Sequence, residues 1–204
     1  MIASRMPPRL AGPAQGYRQL MPAADSIPTI LARREISRNR FLSYVEEDLT
    51  DRHGKPYTYY QVESRFDAVV VVPVLPDGRL LVERIYRHPY RQWLSEFPAG
   101  GIEPGEDPCA AGIRELAEET GFRAGRCTSL HVIEAMPGLL RMRLHLVLAE
   151  DLTPGGELKL EEMELLEIET LTRDEAWTRA GQAPASMFLT LGLLALERWQ
   201  NSTR

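Results

Sequence analysis

Three glutamates, Glu115, Glu118 and Glu119, crowd into one short stretch, GIRELAEETGF. On a helix they would stand within about one turn, where like charges repel. One reading of such a cluster is a solvated acidic face. The other is a set of oxygen ligands, because a hard divalent cation such as Mg²⁺ takes carboxylates and carbonyls, and its charge cancels the repulsion. Two neighbouring features favour the second. A glycine pair, Gly100-Gly101, precedes the segment, and Glu106 stands near its start.

The spacing predicts a helix from Asp107 to Thr120. Asp107 is an N-cap type, Pro108 suits the first turn, and Gly121 suits the end. Stepping ~100° per residue, Ala110, Ile113, Leu116, Ala117 and Thr120 fall in an arc about 120° wide, which predicts the core face. The three glutamates fall on the opposite arc. Strands are predicted on each side of this helix. RFLSYVEEDL and PYTYYQVES read as two strands around a turn at Gly54, and Val69–Val74 with Leu80–Tyr86 as a hairpin about Asp77-Gly78. CTSLHVIEAM, RMRLHLVLAEDL and MELLEIETL read as further strands. Two helical patterns, TRDEAWTRAG and PASMFLTLGLLALERWQ, close the sequence. The expectation is an α/β layered domain with a largely covered sheet. Its parts would be a loosely ordered arm over residues 1–39, a β-hairpin arm over 40–64, and a catalytic domain over 65–204.

Composition narrows the function. A net charge of -5 argues against a protein that coats nucleic acid, which needs clustered Lys and Arg. No apolar run approaches the ~18 residues of a membrane span, and the N-terminal segment lacks the apolar stretch of a secretory signal. The two cysteines, Cys109 and Cys127, have neither metal-ligand spacing nor a disulfide framework, so a reducing, cytoplasmic setting is expected. His53, His88, His131 and His145 are scattered and suggest no nucleophilic triad.

Gly100, five residues, Glu106, seven residues and then Arg114-Glu115-Leu116-Ala117-Glu118-Glu119-Thr120-Gly121-Phe122 resembles the complete signature of the Nudix hydrolases. The resemblance implies a Nudix-type α/β/α sandwich with a mixed sheet. It also implies Mg²⁺, with Mn²⁺ able to substitute, held by Glu115, Glu119 and Glu118 and by the backbone carbonyl of Ala99. Arg114 would orient the carboxylates, and Glu106 would support the loop. The catalytic set is then Glu118, Glu115, Glu119 and Arg114. Around that signature, LLVERIYRHPYRQWLSEFPAGGIEPGEDP is similar to the ADP-ribose and nucleoside-diphosphate-sugar pyrophosphatases. That branch implies substrate binding by Arg87, Gly101 and Pro137, a role for Glu96 beside them, and a homodimer that exchanges the β-arm. The expected reaction splits a nucleoside-diphosphate sugar, ADP-ribose first, into a nucleoside monophosphate and a sugar phosphate. GDP-mannose, another nucleotide sugar, or a ligand-sensing role without turnover are the alternatives. One departure stands out. Met142 occupies the place where this branch carries a glutamate base, and a thioether is neither a base nor a good Mg²⁺ ligand. Glu118, Glu134, Glu150 and Glu162 are the carboxylates available to replace it, Glu118 being already in the cluster.

Overall fold

The computed structural model describes residues 27–51, 53–160 and 165–202. Along the chain these form β1 (Thr29–Arg38), β2 (Leu42–Thr50), β3 (Pro56–Ser64), β4 (Ala68–Pro73), β5 (Leu80–Arg87), β6 (Gln92–Glu96) and β7 (Ala99–Gly101). There follow α1 (Pro108–Thr120), β8 (Phe122–Glu134), β9 (Leu140–Arg141), β10 (Arg143–Pro154), β11 (Leu166–Leu171), α2 (Arg173–Ala180) and α3 (Met187–Ser202). Three sheets result, ordered β1-β2-β3-β9, β7-β4-β10-β8 and β11-β5-β6.

The valine run of β4 is apolar on both sides because both sides are covered. β4 pairs antiparallel with β7 and parallel with β10, which in turn pairs antiparallel with β8. Val69, Val71 and Val147 pack with Ala111 and Leu116 of α1. On the other face Val70, Val72, Leu146 and Leu148 pack with Leu189, Leu193 and Leu196 of α3. Burying each such side chain contributes about 1.5–3 kcal/mol, so the two clusters fix α1 and α3 on opposite faces of one mixed sheet. This is the α/β/α sandwich that the sequence implied.

Close approach on the α3 side depends on Gly192. A Cβ there would lie 2.5 Å from Phe97 Cδ2 and 3.1 Å from Val72 Cγ2, and Phe97 is fully buried. Gly192→Ala gains helix propensity but overpacks this contact. The expected net cost is about 2 kcal/mol, a fall in Tm of about 4–8 °C on thermal melting.

Two expectations are corrected. The turn at Asp77-Gly78 forms, with Gly78 at φ 86° and Leu75 N–H donating to the Arg79 carbonyl at 2.9 Å. Beyond a single bridge between Val74 and Leu80, however, β4 and β5 part into different sheets. A strand has two edges, and β4 uses both on β7 and β10 while β5 uses both on β6 and β11. Residues 29–38, expected within the loose arm, form strand β1. It lies at the edge of a sheet beside β2, and its arginines find acidic partners on that strand. Arg34 bonds Asp48 Oδ1 at 3.0 Å, and Arg33 lies 3.6 Å from Glu47.

Contacts group the chain into two units. One reaches to Arg34 and includes Glu46–Tyr60; the other takes Glu35–Val45 and Gln61 onward. In the first, Arg34 and Thr58 both bond Asp48, whose carboxyl they hold below its usual range, while Ile30, Leu31, Tyr57 and Tyr60 are exposed. The second contains both core clusters and everything described next. No described helix is long and apolar enough to cross a membrane.

Candidate active site

Local rules set α1 in place. The Asp107 carboxylate accepts from the Cys109 and Ala110 N–H groups at 2.9 and 3.2 Å, and Gly121 ends the helix in the left-handed conformation at φ 73°. The buried face is turned from the predicted arc. It carries Ala111, Gly112, Leu116, Glu119 and Thr120, while Ala110 is exposed. Gly112 accounts for the rotation, because its missing side chain lets the helix sit against Val147, Val71 and Val69. Glu119, expected on the outer arc, therefore points inward with 4% of its surface exposed. Its Oε2 accepts from the Ala99 N–H at 3.0 Å.

Arg114 organises the remaining carboxylates. Its guanidinium donates to Glu106 Oε1 and Oε2, both at 3.0 Å, to Glu115 Oε1 at 2.8 Å and to Glu118 Oε2 at 3.2 Å. It also donates to the Gly101 carbonyl at 2.9 Å. These bonds, Glu106 first, raise the Arg114 pKa and hold the Glu106 carboxyl below its usual range. Glu106 also accepts from the Glu103 N–H at 2.9 Å, so one carboxylate ties the entry loop to the helix.

Gly100 is the cradle for Glu115. A Cβ at Gly100 would lie 2.1 Å from the Glu115 carboxyl carbon, so the acid stands where any other residue would put its side chain. Strand β7 thus meets the helix twice, at Glu119 through the Ala99 amide and at Glu115 through the bare backbone of Gly100.

A cleft of ≈ 530 Å³ opens beside this junction, lined by Arg87, Tyr90, Glu96, Gly100, Met136 and Phe188 among others. Arg87 donates to Glu96 Oε2 from Nη2 at 2.7 Å and from Nε at 3.2 Å. Burial opposes the Arg87 charge, but the Glu96 bonds, with the fields of Glu119 and Glu83, raise its pKa above the ordinary value. Glu83 and Glu96 are register partners on β5 and β6, and both are buried, at 2% and 3% exposed. An arginine facing this many carboxylates stays charged, a fixed cation at the cleft wall.

The structure gathers Ala99, Gly101, Arg114, Glu115, Glu118 and Glu119 where β7 meets α1, with Arg87 across the cleft. Pro137 lies apart on an exposed turn, while its neighbour Met136 lines the cleft. Met142 lines a separate polar groove with Glu134, Arg141 and Arg143. Glu150 lies 3.2 Å from Arg126, and Glu162 falls outside the described residues. Tyr90 and Phe188 also line the cleft, and neither belongs to the acidic motif in the sequence. An aromatic signal was available at both, but Phe188 belongs to α3 and only the fold brings it within 6.0 Å of Arg87.

Among the described residues no three His, Cys, Asp or Glu side chains form a ready metal group. The donor chemistry nonetheless fits a hard cation. All the donors are oxygens, and four carboxylates face Arg114 and the more distant Arg87, leaving negative charge in excess.

The NUDIX domain family matches residues 64–190. The ADP-ribose pyrophosphatase of Bacillus subtilis (strain 168) is 30% identical over 147 residues, 72% of this chain and 79% of that protein. The ADP-sugar pyrophosphatase of Mus musculus is 30% identical over 175 residues, 76% of this chain and 78% of that one. A crystal structure of an ADP compounds hydrolase superposes with a TM-score of 0.78 at 26% identity, covering 86% of this chain and 95% of the other. The chain belongs to the Nudix family and is a pyrophosphatase of that family.

Proposed function

We propose that the protein hydrolyses the pyrophosphate bond of a nucleoside-diphosphate sugar, ADP-ribose foremost, giving a nucleoside monophosphate and a sugar phosphate. The observation that carries this reading is the position of the cleft. Its wall includes Ala99 and Gly100, the two residues against which Glu119 and Glu115 are seated. A substrate in the cleft would lie with its diphosphate toward the acidic helix. The names of the relatives, which act on ADP-ribose and ADP-sugars, support the choice of substrate.

Glu115, Glu118, Glu119 and the Ala99 carbonyl would hold Mg²⁺, or Mn²⁺ in its place. When bound, the ion supplies charge neutralisation on phosphate oxygens and activation of water. Arg114 keeps Glu115 and Glu118 oriented by charge-assisted bonds. Glu118 is the group assigned to take the proton of the attacking water at its carboxylate, since Met142 cannot and lines another groove. Arg87 meets substrate oxygens with the N–H groups that Glu96 leaves open, Gly101 and Pro137 stand next to the cleft residues Gly100 and Met136, and Tyr90 and Phe188 offer aromatic faces to the nucleoside. The strand arm would join two copies, covering Ile30, Leu31, Tyr57 and Tyr60.

The test is a panel of ADP-ribose, GDP-mannose and UDP-glucose with Mg²⁺ or Mn²⁺, run on wild type and Arg87→Ala. ADP-ribose is expected to give the highest kcat/KM. The variant should raise its KM by about tenfold or more with a smaller change in kcat, the pattern of lost uniform binding. An unchanged KM would remove Arg87 from the site, and a preference for GDP-mannose would replace the substrate.

A further inference from the structure

The chain's two cysteines stand eighteen positions apart, one on the first turn of α1 and one on β8, yet the fold brings their sulfurs together. The two sulfurs lie in direct contact, 2.6 Å apart, and both cysteines are free thiols. Each is half-buried and packs against the apolar cluster of Leu116, Val147 and Ala149, so the pair lies on the core side of the helix. Cys127 is held there by its register opposite Ala149, and Cys109 by its N–H bond to Asp107. Neither residue has a part in the hydrolytic site.

We propose that Cys109 and Cys127 form an oxidative modification site, a thiol pair that a peroxide converts into an intramolecular disulfide fastening the first turn of α1 to β8. Burial, then the bond to Cys109, pushes the Cys127 thiol up and keeps it protonated. The peroxide meets the other sulfur, Cys109, on the first turn of α1. That sulfur attacks the O–O bond and takes one oxygen as a sulfenic acid, and the departing hydroxide picks up the thiol proton to become water. The Cys127 sulfur then attacks Cys109 Sγ; the S–S bond forms, the S–O bond breaks, and a second water leaves with the Cys127 proton. Two thiols are oxidised by two electrons, and one peroxide is reduced to two waters. The resolving thiol also traps the sulfenic acid before further, irreversible oxidation. These are the only cysteines in the sequence, so no other disulfide can form within one chain.

The full-length protein, reduced and then treated with hydrogen peroxide, tests this. Thiol titration should fall from both cysteines to none, and a non-reducing peptide map should join the Cys109 and Cys127 peptides from one chain. Closing this loop should raise Tm by about 6–12 °C, reversibly with dithiothreitol. Cys127→Ser should lose both the cross-link and the shift. Sulfinic acid on Cys109 without a cross-link, a disulfide between chains, or an oxidised protein with unchanged Tm would each overturn the proposal. A shift that persists in Cys127→Ser would do the same.

Discussion

Replacing Glu119 by glutamine is expected to lower kcat by about 10³-fold and leave the fold intact. The substitution keeps the shape of a side chain that is 4% exposed, and the Ala99 N–H still finds an oxygen acceptor. What disappears is one negative charge from a group of four carboxylates. Stability should change little, because the like-charge repulsion that is relieved offsets the cost of placing new amide N–H donors at a buried site. The measurement is a steady-state assay beside a thermal melt. An active variant with normal Tm would show that Glu119 only braces β7, and a collapsed Tm would make it structural.

Gly100→Ala is expected to lower kcat by about 10²-fold with a shift in Tm of only a few degrees. The new Cβ would stand 2.1 Å from the Glu115 carboxyl carbon and 2.4 Å from its Oε2, a separation no structure tolerates. The group in the way is the end of a flexible side chain, so Glu115 swings aside and the backbone survives. That displacement breaks the geometry set by Arg114, which donates to Glu115 at 2.8 Å. Misplacing a reacting group by about 1 Å can cost 10²-fold, and this substitution moves a carboxylate by at least that. Kinetics and melting separate the outcomes. Loss of stability equal to the loss of rate would point to a folding defect, and full activity would mean that Glu115 is not needed where it stands.

How far the sequence could be read depended on the range of each interaction. The ends of α1 were legible because Asp107, Pro108 and Gly121 act on their own neighbours. The face of α1 was misjudged because hydrophobicity alone placed Glu119 outside. Its burial is set by Gly112 against Val147 and by the Ala99 amide, contacts that exist only after β4, β7 and β10 assemble. The β4–β5 hairpin failed for a similar reason. The turn at Gly78 is local, but strand pairing is decided by competition among sheet edges. The acidic cluster was visible as spacing; the Gly100 cradle behind Glu115 was not, although Gly100 was part of the motif. The cleft was the least legible part, because Arg87, Met136 and Phe188 come from three distant segments. The same holds for Cys109 and Cys127, which look unrelated until α1 folds onto β8.

The most direct test of a cation seated on α1 is a manganese titration followed by the electron paramagnetic signal of the free ion. Wild type should remove that signal saturably, and Glu119→Gln should weaken the affinity by at least about tenfold at unchanged fold. Equal affinity in the two proteins would place the ion elsewhere and contradict the account.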